Sequence, residues 1–352
     1  MQSDEKAPLR ASSVQIPMTR RHFLQSLAAT TLAPAAGAAE SGPWSRSEPH
    51  MGCLWTLTLP DLPAASATTA ADAVFAEIAR LNLIFSDYES TSELNRLCTK
   101  AGQDTPVPVS PELFDILHHS REISALSDGL FDITLAPCIR LWRRSRRRGE
   151  LPEPDAIAQA RARSGWQAME LDQANRTVRL AKPGMQLDLG GIAKGWTQDA
   201  CLQLLRDRFK ITCVLLDAAG EVAAGTPPEG KNHWQIGLQP SGDEPPVQIA
   251  LKEANAATSG DHYQFVEIGG KRYSHIIDPR TGLGSTISRQ ATLIAPTGAM
   301  ADPLTKLLCL LDPAESLPLL TKTWPGLEAR ITWKPDDHRL QTRQTPDFPL
   351  LP

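Results

Sequence analysis

The chain has 352 residues, 36 basic against 40 acidic, with 41% apolar and 22% charged residues. That leaves room for one large domain or two ordinary ones with a sizeable core, and it excludes wholesale disorder. A net charge of −4 argues against a general nucleic-acid binder, and no apolar run approaches the roughly 18 residues of an ordinary transmembrane helix.

The first element is an address. Thr19-Arg20-Arg21-His22-Phe23-Leu24, a weakly apolar run over 24–36, and Ala36-Gly37-Ala38 read as a twin-arginine export signal ending in an A-x-A cleavage site. Residues 1–39 are set apart as signal peptide and residues 40–352 as one domain. The signal carries four basic and two acidic residues, so the mature chain has 32 and 38, a net −6. Export by the twin-arginine translocase implies a periplasmic protein. That route carries folded proteins, which favours a bound cofactor. The six cysteines, 53, 98, 138, 201, 213 and 309, form no C-x-x-C pair. They are read as small, largely apolar side chains whose pairing the sequence does not decide.

Residues 50–59 read as a strand ending at Pro60. Val74, Ile78, Leu81 and Phe85 recur at helical spacing and predict a helix over 69–85. Ser110-Pro111-Glu112 is a helix start, running to about Leu126 before Asp128-Gly129. Six arginines lie within residues 140–149; they are read as a solvated helix end, the alternative being a docking patch for an acidic partner or phosphate. From Thr212 the pattern turns to short strands at 212–217, 233–239, 247–252, 262–268, 271–277 and 289–295. Gly269-Gly270 is the hairpin loop between the fourth and fifth. Helices at 299–311 and 314–321 and a strand at 328–333 complete the chain. Helices first and antiparallel strands later indicate an α+β fold, a mostly antiparallel sheet with flanking helices.

Three segments carry chemistry. Leu187-Asp188-Leu189-Gly190-Gly191-Ile192-Ala193-Lys194-Gly195 runs from a strand end through a Gly-Gly turn into a helix. Such a helix start, with a lysine one turn in, can cradle an anion; Gly-Gly before a helix is equally often a tight turn alone. Tyr273-Ser274-His275-Ile276-Ile277-Asp278-Pro279-Arg280-Thr281-Gly282 ends a strand in an Asp-Pro turn crowded with polar groups. Ala299-Met300-Ala301-Asp302-Pro303-Leu304-Thr305-Lys306 opens a helix with a carboxylate that can stabilise the helix start or hold Mg²⁺.

Together these segments resemble the FAD:protein FMN transferase (ApbE) family over about residues 50–335. Further anchors are Met51-Gly52-Cys53, Phe85-Ser86-Asp87-Tyr88 with Ser92-Glu93-Leu94, Asp128-Gly129-Leu130-Phe131-Asp132, and Thr258-Ser259-Gly260-Asp261. The resemblance implies a Mg²⁺-dependent transferase that cleaves FAD, moves FMN onto a Thr or Ser hydroxyl of a periplasm-facing flavoprotein and releases AMP. It implies His275 as the base for that hydroxyl. It implies an FAD site of Met51, Tyr88, Leu130, Phe131, Asp132, Asp188, Lys194, Ile277, Asp278, Arg280 and Thr281. Mg²⁺ would be held by Asp302, Thr305 and a carbonyl near Gly191. The chain departs from the family at three points. Lys306 stands four after Asp302, where a hydroxyl ligand is usual. Then either Thr305 substitutes, or Lys306 contacts phosphate and weakens the metal site. Asp217-Ala218-Ala219-Gly220-Glu221 replaces Asn-Leu-Gly-Gly-Asp, and Cys98 replaces an Asn. A flavin-holding accessory protein and an FAD diphosphatase are the competing expectations.

Overall fold

The computed structural model describes residues 43–238, 245–261, 264–335 and 339–352; the export signal read at residues 1–39 lies outside them. Pro43–Pro352 is one compact unit. It opens on a hairpin of β1 (Trp44–His50) and β2 (Cys53–Leu59), in register from Trp44↔Leu59 to His50↔Cys53. The single strand read at 50–59 is thus a strand end, a turn and a second strand. Met51 and Gly52 make the turn with φ of 47 and 78, the pair of positive values that a type I′ two-residue hairpin requires. β1 carries no apolar alternation, so nothing in its sequence announces it.

Helix α1 (Ala64–Phe85) lays Ala67, Ala70, Ala71, Val74 and Ile78 against Trp55, Leu57 and Leu59 of β2. Next come α2 (Glu93–Cys98), β3 (Val107–Pro108) and α3 (Pro111–Leu126). The predicted cap of α3 is present: Ser110 Oγ accepts the Leu113 N–H at 3.3 Å. Then follow α4 (Ala136–Arg148), α5 (Pro154–Ala162), β4 (Met169–Asp172) and β5 (Thr177–Leu180). β3, β5 and β4 form a small sheet. α6 (Ala193–Phe209) starts directly after the Gly190-Gly191 turn.

The second half is mostly strand: β6 (Leu215–Asp217), β7 (Glu221–Ala224), β8 (Trp234–Leu238), β9 (Val247–Leu251) and β10 (Ala254–Gly260). The hairpin of β11 (Phe265–Ile268) and β12 (Lys271–Ser274) turns at Gly269-Gly270 as predicted; residues 262 and 263 of the predicted strand lie outside the described residues. β13 (Ile277–Asp278) pairs with β14 (Leu283–Gly284). β15 (Arg289–Ala295), α7 (Gly298–Leu310), α8 (Pro313–Thr323), β16 (Glu328–Trp333) and β17 (Gln341–Gln344) close the chain.

The main sheet has the order β1-β2-β6-β7-β10-β15-β16-β17, and every neighbouring pair in it is antiparallel. The α+β fold expected from the sequence is the fold observed. Alternate residues of the central strands face opposite layers. Leu216 and Ala223 join the core under α1 and α6, while Val222, Ala224 and Ala256 pack on Trp234, Ile236, Ile249 and Leu251 of the β8–β9 hairpin. Burial on both faces explains why these strands are short runs of small apolar residues.

Candidate active site

α6 and α7 start side by side, and glycine makes that approach possible. A Cβ on Gly195 would sit 2.0 Å from the Gly298 carbonyl oxygen, and one on Gly298 would sit 2.4 Å from that of Gly195. Each helix also offers a carboxylate to the other's first turn. Asp199 of α6 accepts the N–H groups of Gly298 and Ala299 at 2.8 and 2.9 Å. Asp302 of α7 lies 3.4 Å from the Gly195 N–H. Both answer unpaired donors at a helix start. Pro303 inside α7 cannot donate to the Ala299 carbonyl; His119 reaches that oxygen from Nε2 at 3.2 Å.

A cavity of about 860 Å³ opens beside this junction, between the ends of β6, β7 and β10 and the β8–β9 hairpin. Gly190, Lys194, Asp217, Glu221, His275 and Lys306 are among its lining residues. Two cations and their carboxylates form its floor. Lys194 Nζ is 2.5 Å from the buried Glu221 Oε2. Lys306 Nζ is bonded to Asp302 Oδ1 and, at 2.8 Å, to the Asp302 main-chain oxygen. Burial opposes the charge of Lys194, but Glu221 and Asp302 outweigh it and hold its pKa above the ordinary lysine value. Burial pushes Glu221 up to about 7 despite Lys194. Asp302 is fully buried, yet Lys306 and Lys194 hold its carboxyl below the usual range.

His275 enters the cavity from the other side. Its backbone N–H and its Nδ1 both meet the Gln264 carbonyl, at 3.0 and 3.3 Å. A carbonyl only accepts, so Nδ1 carries the proton and Nε2 keeps its lone pair. Burial, then the charge of Arg146, Lys306 and Lys194, pushes the ring down to about 4. It is neutral at physiological pH.

The other expected residues divide differently from the sequence reading. Asp188 is buried; Oδ1 accepts the Gly190 N–H at 2.8 Å and Oδ2 meets Arg143 at 2.8 Å. Arg143 also holds Asp87 at 2.6 Å and lies 4.5 Å over the Tyr88 ring, which is 77% exposed. Asp188 is therefore an anchor for the turn and for Arg143 rather than a group on the cavity wall. Asp132 is engaged in the same way: Oδ1 caps Thr134 and Oδ2 takes the Trp166 N–H at 3.2 Å. Phe131 is core, its ring 3.4 Å from where a Gly191 Cβ would lie, and Leu130 packs on the same core. Met51 sits in the β1–β2 turn with Sδ 3.7 Å from Thr197 Oγ1. Asp278 and Arg280 pair with each other at 2.8 Å, Arg280 reaches the Leu310 carbonyl, and Thr281 returns to the Asp278 carbonyl. With the buried Ile277 they close the turn of β13 onto the end of α7. Of the Tyr273–Gly282 segment, His275 alone is among the cavity-lining residues.

The expected metal ligands do not assemble. The Thr305 hydroxyl donates to the Asp302 main-chain oxygen at 2.7 Å and meets Ser259 Oγ at 2.7 Å, fully buried. The Lys306 stem passes 3.5 Å from the Cβ position of Gly191. An ammonium thus fills the space between Gly191 and Asp302 where Mg²⁺ was expected. Mg²⁺ asks for near-octahedral oxygen ligands, and these residues do not fit it. Among the described residues no other cluster of His, Cys, Asp or Glu could hold a metal.

The arginine run is neither wholly solvated nor a bare patch, since Arg143 is tied to two carboxylates and Arg140 reaches Asn95. Cys98 fills the departed Asn position by accepting the Leu187 N–H at 3.4 Å, and burial pushes its thiol up to about 11. None of the six cysteines is disulfide-bonded. At the lost glycine, Ala219 takes φ 53 and its N–H is held by Asp217 Oδ1 at 2.8 Å. Sequence reasoning left out the Lys194–Glu221 and Asp302–Lys306 pairs as a unit. The second was readable, since lysine four residues after aspartate on a helix is a pairing distance.

Residues 51–331 match the model of the ApbE family. The FAD:protein FMN transferase of Treponema pallidum is 30% identical over 311 residues, covering 83% of this chain and 85% of the relative. That of Escherichia coli is 27% identical over 307 residues, covering 85% and 86%. The apo flavinyl transferase ApbE of Pseudomonas stutzeri superimposes with a TM-score of 0.75 at 28% identity, over 86% of this chain and 95% of that one. The flavin transferase ApbE of Vibrio cholerae has the same fold, with a TM-score of 0.75 at 24% identity over 87% and 97%.

Proposed function

This chain belongs to the ApbE family, and we propose that it is an FAD:protein FMN transferase acting on a Thr or Ser hydroxyl of a flavoprotein. The observation that carries the reading is the convergence of Lys194, Lys306 and a neutral His275 on one cavity. Its volume of about 860 Å³ lies within the range of roughly 300–1,000 Å³ usual for small-molecule sites. The dinucleotide's diphosphate lies at the start of α6 near the two ammonium groups, where charge on the splitting diphosphate is stabilised. The acceptor oxygen bonds to the flavin-side phosphorus as the bond from that phosphorus to the bridging oxygen breaks. The electron pair leaves with AMP, and the hydroxyl proton passes to His275 Nε2. No step is routed through a metal.

The twin-arginine signal at residues 1–39 carries the folded chain through the translocase, so its acceptors are periplasm-facing flavoproteins. No helix among the described residues is long and apolar enough to cross a membrane.

The test is one assay with three readouts. The mature chain is incubated with FAD, with and without an acceptor bearing the target hydroxyl, and AMP, free FMN and protein-bound flavin are measured. Bound flavin fluorescence that survives denaturing electrophoresis, with equimolar AMP, is expected. Free FMN and AMP without acceptor would mean water is the true acceptor. FAD that co-purifies without AMP release would make the protein a flavin holder.

A further inference from the structure

The Lys306–Asp302 pair lies where a transferred phosphate needs positive charge, and its geometry leaves that charge usable. Lys306 is a helix residue whose stem is held over Gly191. Its ammonium has three N–H donors. Two go to Asp302, to Oδ1 and to the main-chain oxygen. The side chain keeps 19% exposure while Asp302 has none, and Lys306 lines the cavity. One donor therefore remains for a ligand on the cavity side. Asp302, meanwhile, is shut away behind it, with Oδ2 turned to the Gly195 N–H. A cation from solvent would have to expel the ammonium to reach the carboxylate. It would then meet one carboxylate and no free hydroxyl, since Thr305 is already bonded to Ser259 and to the Asp302 main-chain oxygen, which is poor company for an ion that asks for near-octahedral oxygen ligands.

We propose that Lys306 does in this chain what a divalent cation would do at the same point: it neutralises the FAD diphosphate directly, and AMP release proceeds without Mg²⁺. The inference rests on the flavin-transfer reading for its chemistry, but not for its metal-binding arm. The bond changes are those given above. Lys306 adds a hydrogen bond and a fixed charge to the diphosphate, and no further reactant is consumed.

The experiment uses the full mature chain, stripped with EDTA. Mn²⁺ is the probe, titrated without nucleotide and followed by the loss of its free electron-paramagnetic-resonance signal. AMP release from FAD with acceptor is measured in EDTA and in excess Mg²⁺. The expected results are no stoichiometric Mn²⁺ binding, and AMP release that differs by less than about twofold between the two conditions. Lys306→Thr should bind one Mn²⁺, lose roughly 10²–10³ of its rate in EDTA and regain it with Mg²⁺. Lys306→Met should lose rate in both conditions. One-to-one Mn²⁺ binding by the unmodified chain, or AMP release only with Mg²⁺, would overturn the proposal. Both readouts use the unmodified chain, so an unfolded variant does not blunt them. Absence of AMP release in every condition would instead count against the flavin-transfer reading, and the Mn²⁺ titration would still decide the role of Lys306.

Discussion

His275 has Nε2 as its one nitrogen able to accept a proton, because the other is held by the Gln264 carbonyl; the proposed role as base uses that nitrogen. An ordinary histidine would give kcat/KM an acid limb near about 6.5. Burial and the cations Arg146, Lys306 and Lys194 put this ring at about 4 in the free protein, so the kcat/KM limb is expected there. The sign follows from the protonation state: activity needs the neutral ring and falls as pH drops through its pKa. Bound diphosphate adds negative charge nearby and raises that pKa, so the kcat limb should lie at higher pH than the kcat/KM limb. Parallel pH profiles of both constants check this, and coincident limbs near 6.5 would remove His275 from the role. His275→Ala should lower transfer by roughly 10²–10⁴ while FAD binding, measured by flavin fluorescence, persists. At this scale the sequence singled out Lys194 and His275, and both line the one cavity. Asp132 and Asp188, also expected there, are not among the cavity-lining residues. A carboxylate near a turn looks the same in sequence whether it touches a ligand or holds the turn, and here both hold turns.

Helices α6 and α7 set the site through their crossing, and the crossing depends on two glycines and two carboxylates. Gly195→Ala would drive a Cβ to 2.0 Å from a backbone oxygen, which no rotamer change relieves. We expect a loss of about 3 kcal/mol or more, read as a lower urea midpoint. Asp199→Ala leaves two buried backbone N–H groups unpaired and should cost about 1–3 kcal/mol. That cost depends on pH. Burial raises the Asp199 carboxyl to about 6, against the two N–H bonds that lower it. Between its ordinary value of 3.8 and about 6 the folded chain binds the extra proton, so the stability Asp199 contributes is lost as pH rises through that window. The gap between the unmodified chain and Asp199→Ala should be wider at pH 4.5 than at pH 8. Elements with apolar periodicity, such as α1, β15 and β16, were legible because burial imposes the pattern. β7 and β10 were not. Covered on both faces at close range, they read Glu-Val-Ala-Ala and Ala-Asn-Ala-Ala-Thr-Ser-Gly, mostly small residues that carry no hydrophobic alternation. β1 failed for the opposite reason, being a sheet edge with one face in water.

At the scale of the whole molecule, the chain is mildly acidic, with 40 acidic against 36 basic residues, yet the cavity floor carries Lys194 and Lys306. Each ammonium is paired with a carboxylate, so what an anionic ligand meets there is charge-assisted N–H donors at one point rather than a broad positive field. The two halves of FAD should then contribute unequally. On the proposed function the flavin end would meet the apolar wall of β8, Ile236 and Leu238, and the diphosphate would meet the lysines. Ligand that binds only the folded state raises stability by about 2.7 kcal/mol at a hundred times its Kd, or roughly 5 °C in Tm for a chain of this size. FAD should produce a shift of that order in a thermal melt, and riboflavin at equal concentration a much smaller one. In Lys194→Met the FAD shift should shrink toward the riboflavin value, because the variant keeps the apolar stem and loses the charge. Raising the salt should narrow the FAD shift in the unmodified chain and leave the riboflavin shift unchanged, since only the first depends on the charge of the floor. Equal shifts for the two ligands would mean that the cavity recognises the flavin ring alone and that the lysines serve only to hold Glu221 and Asp302.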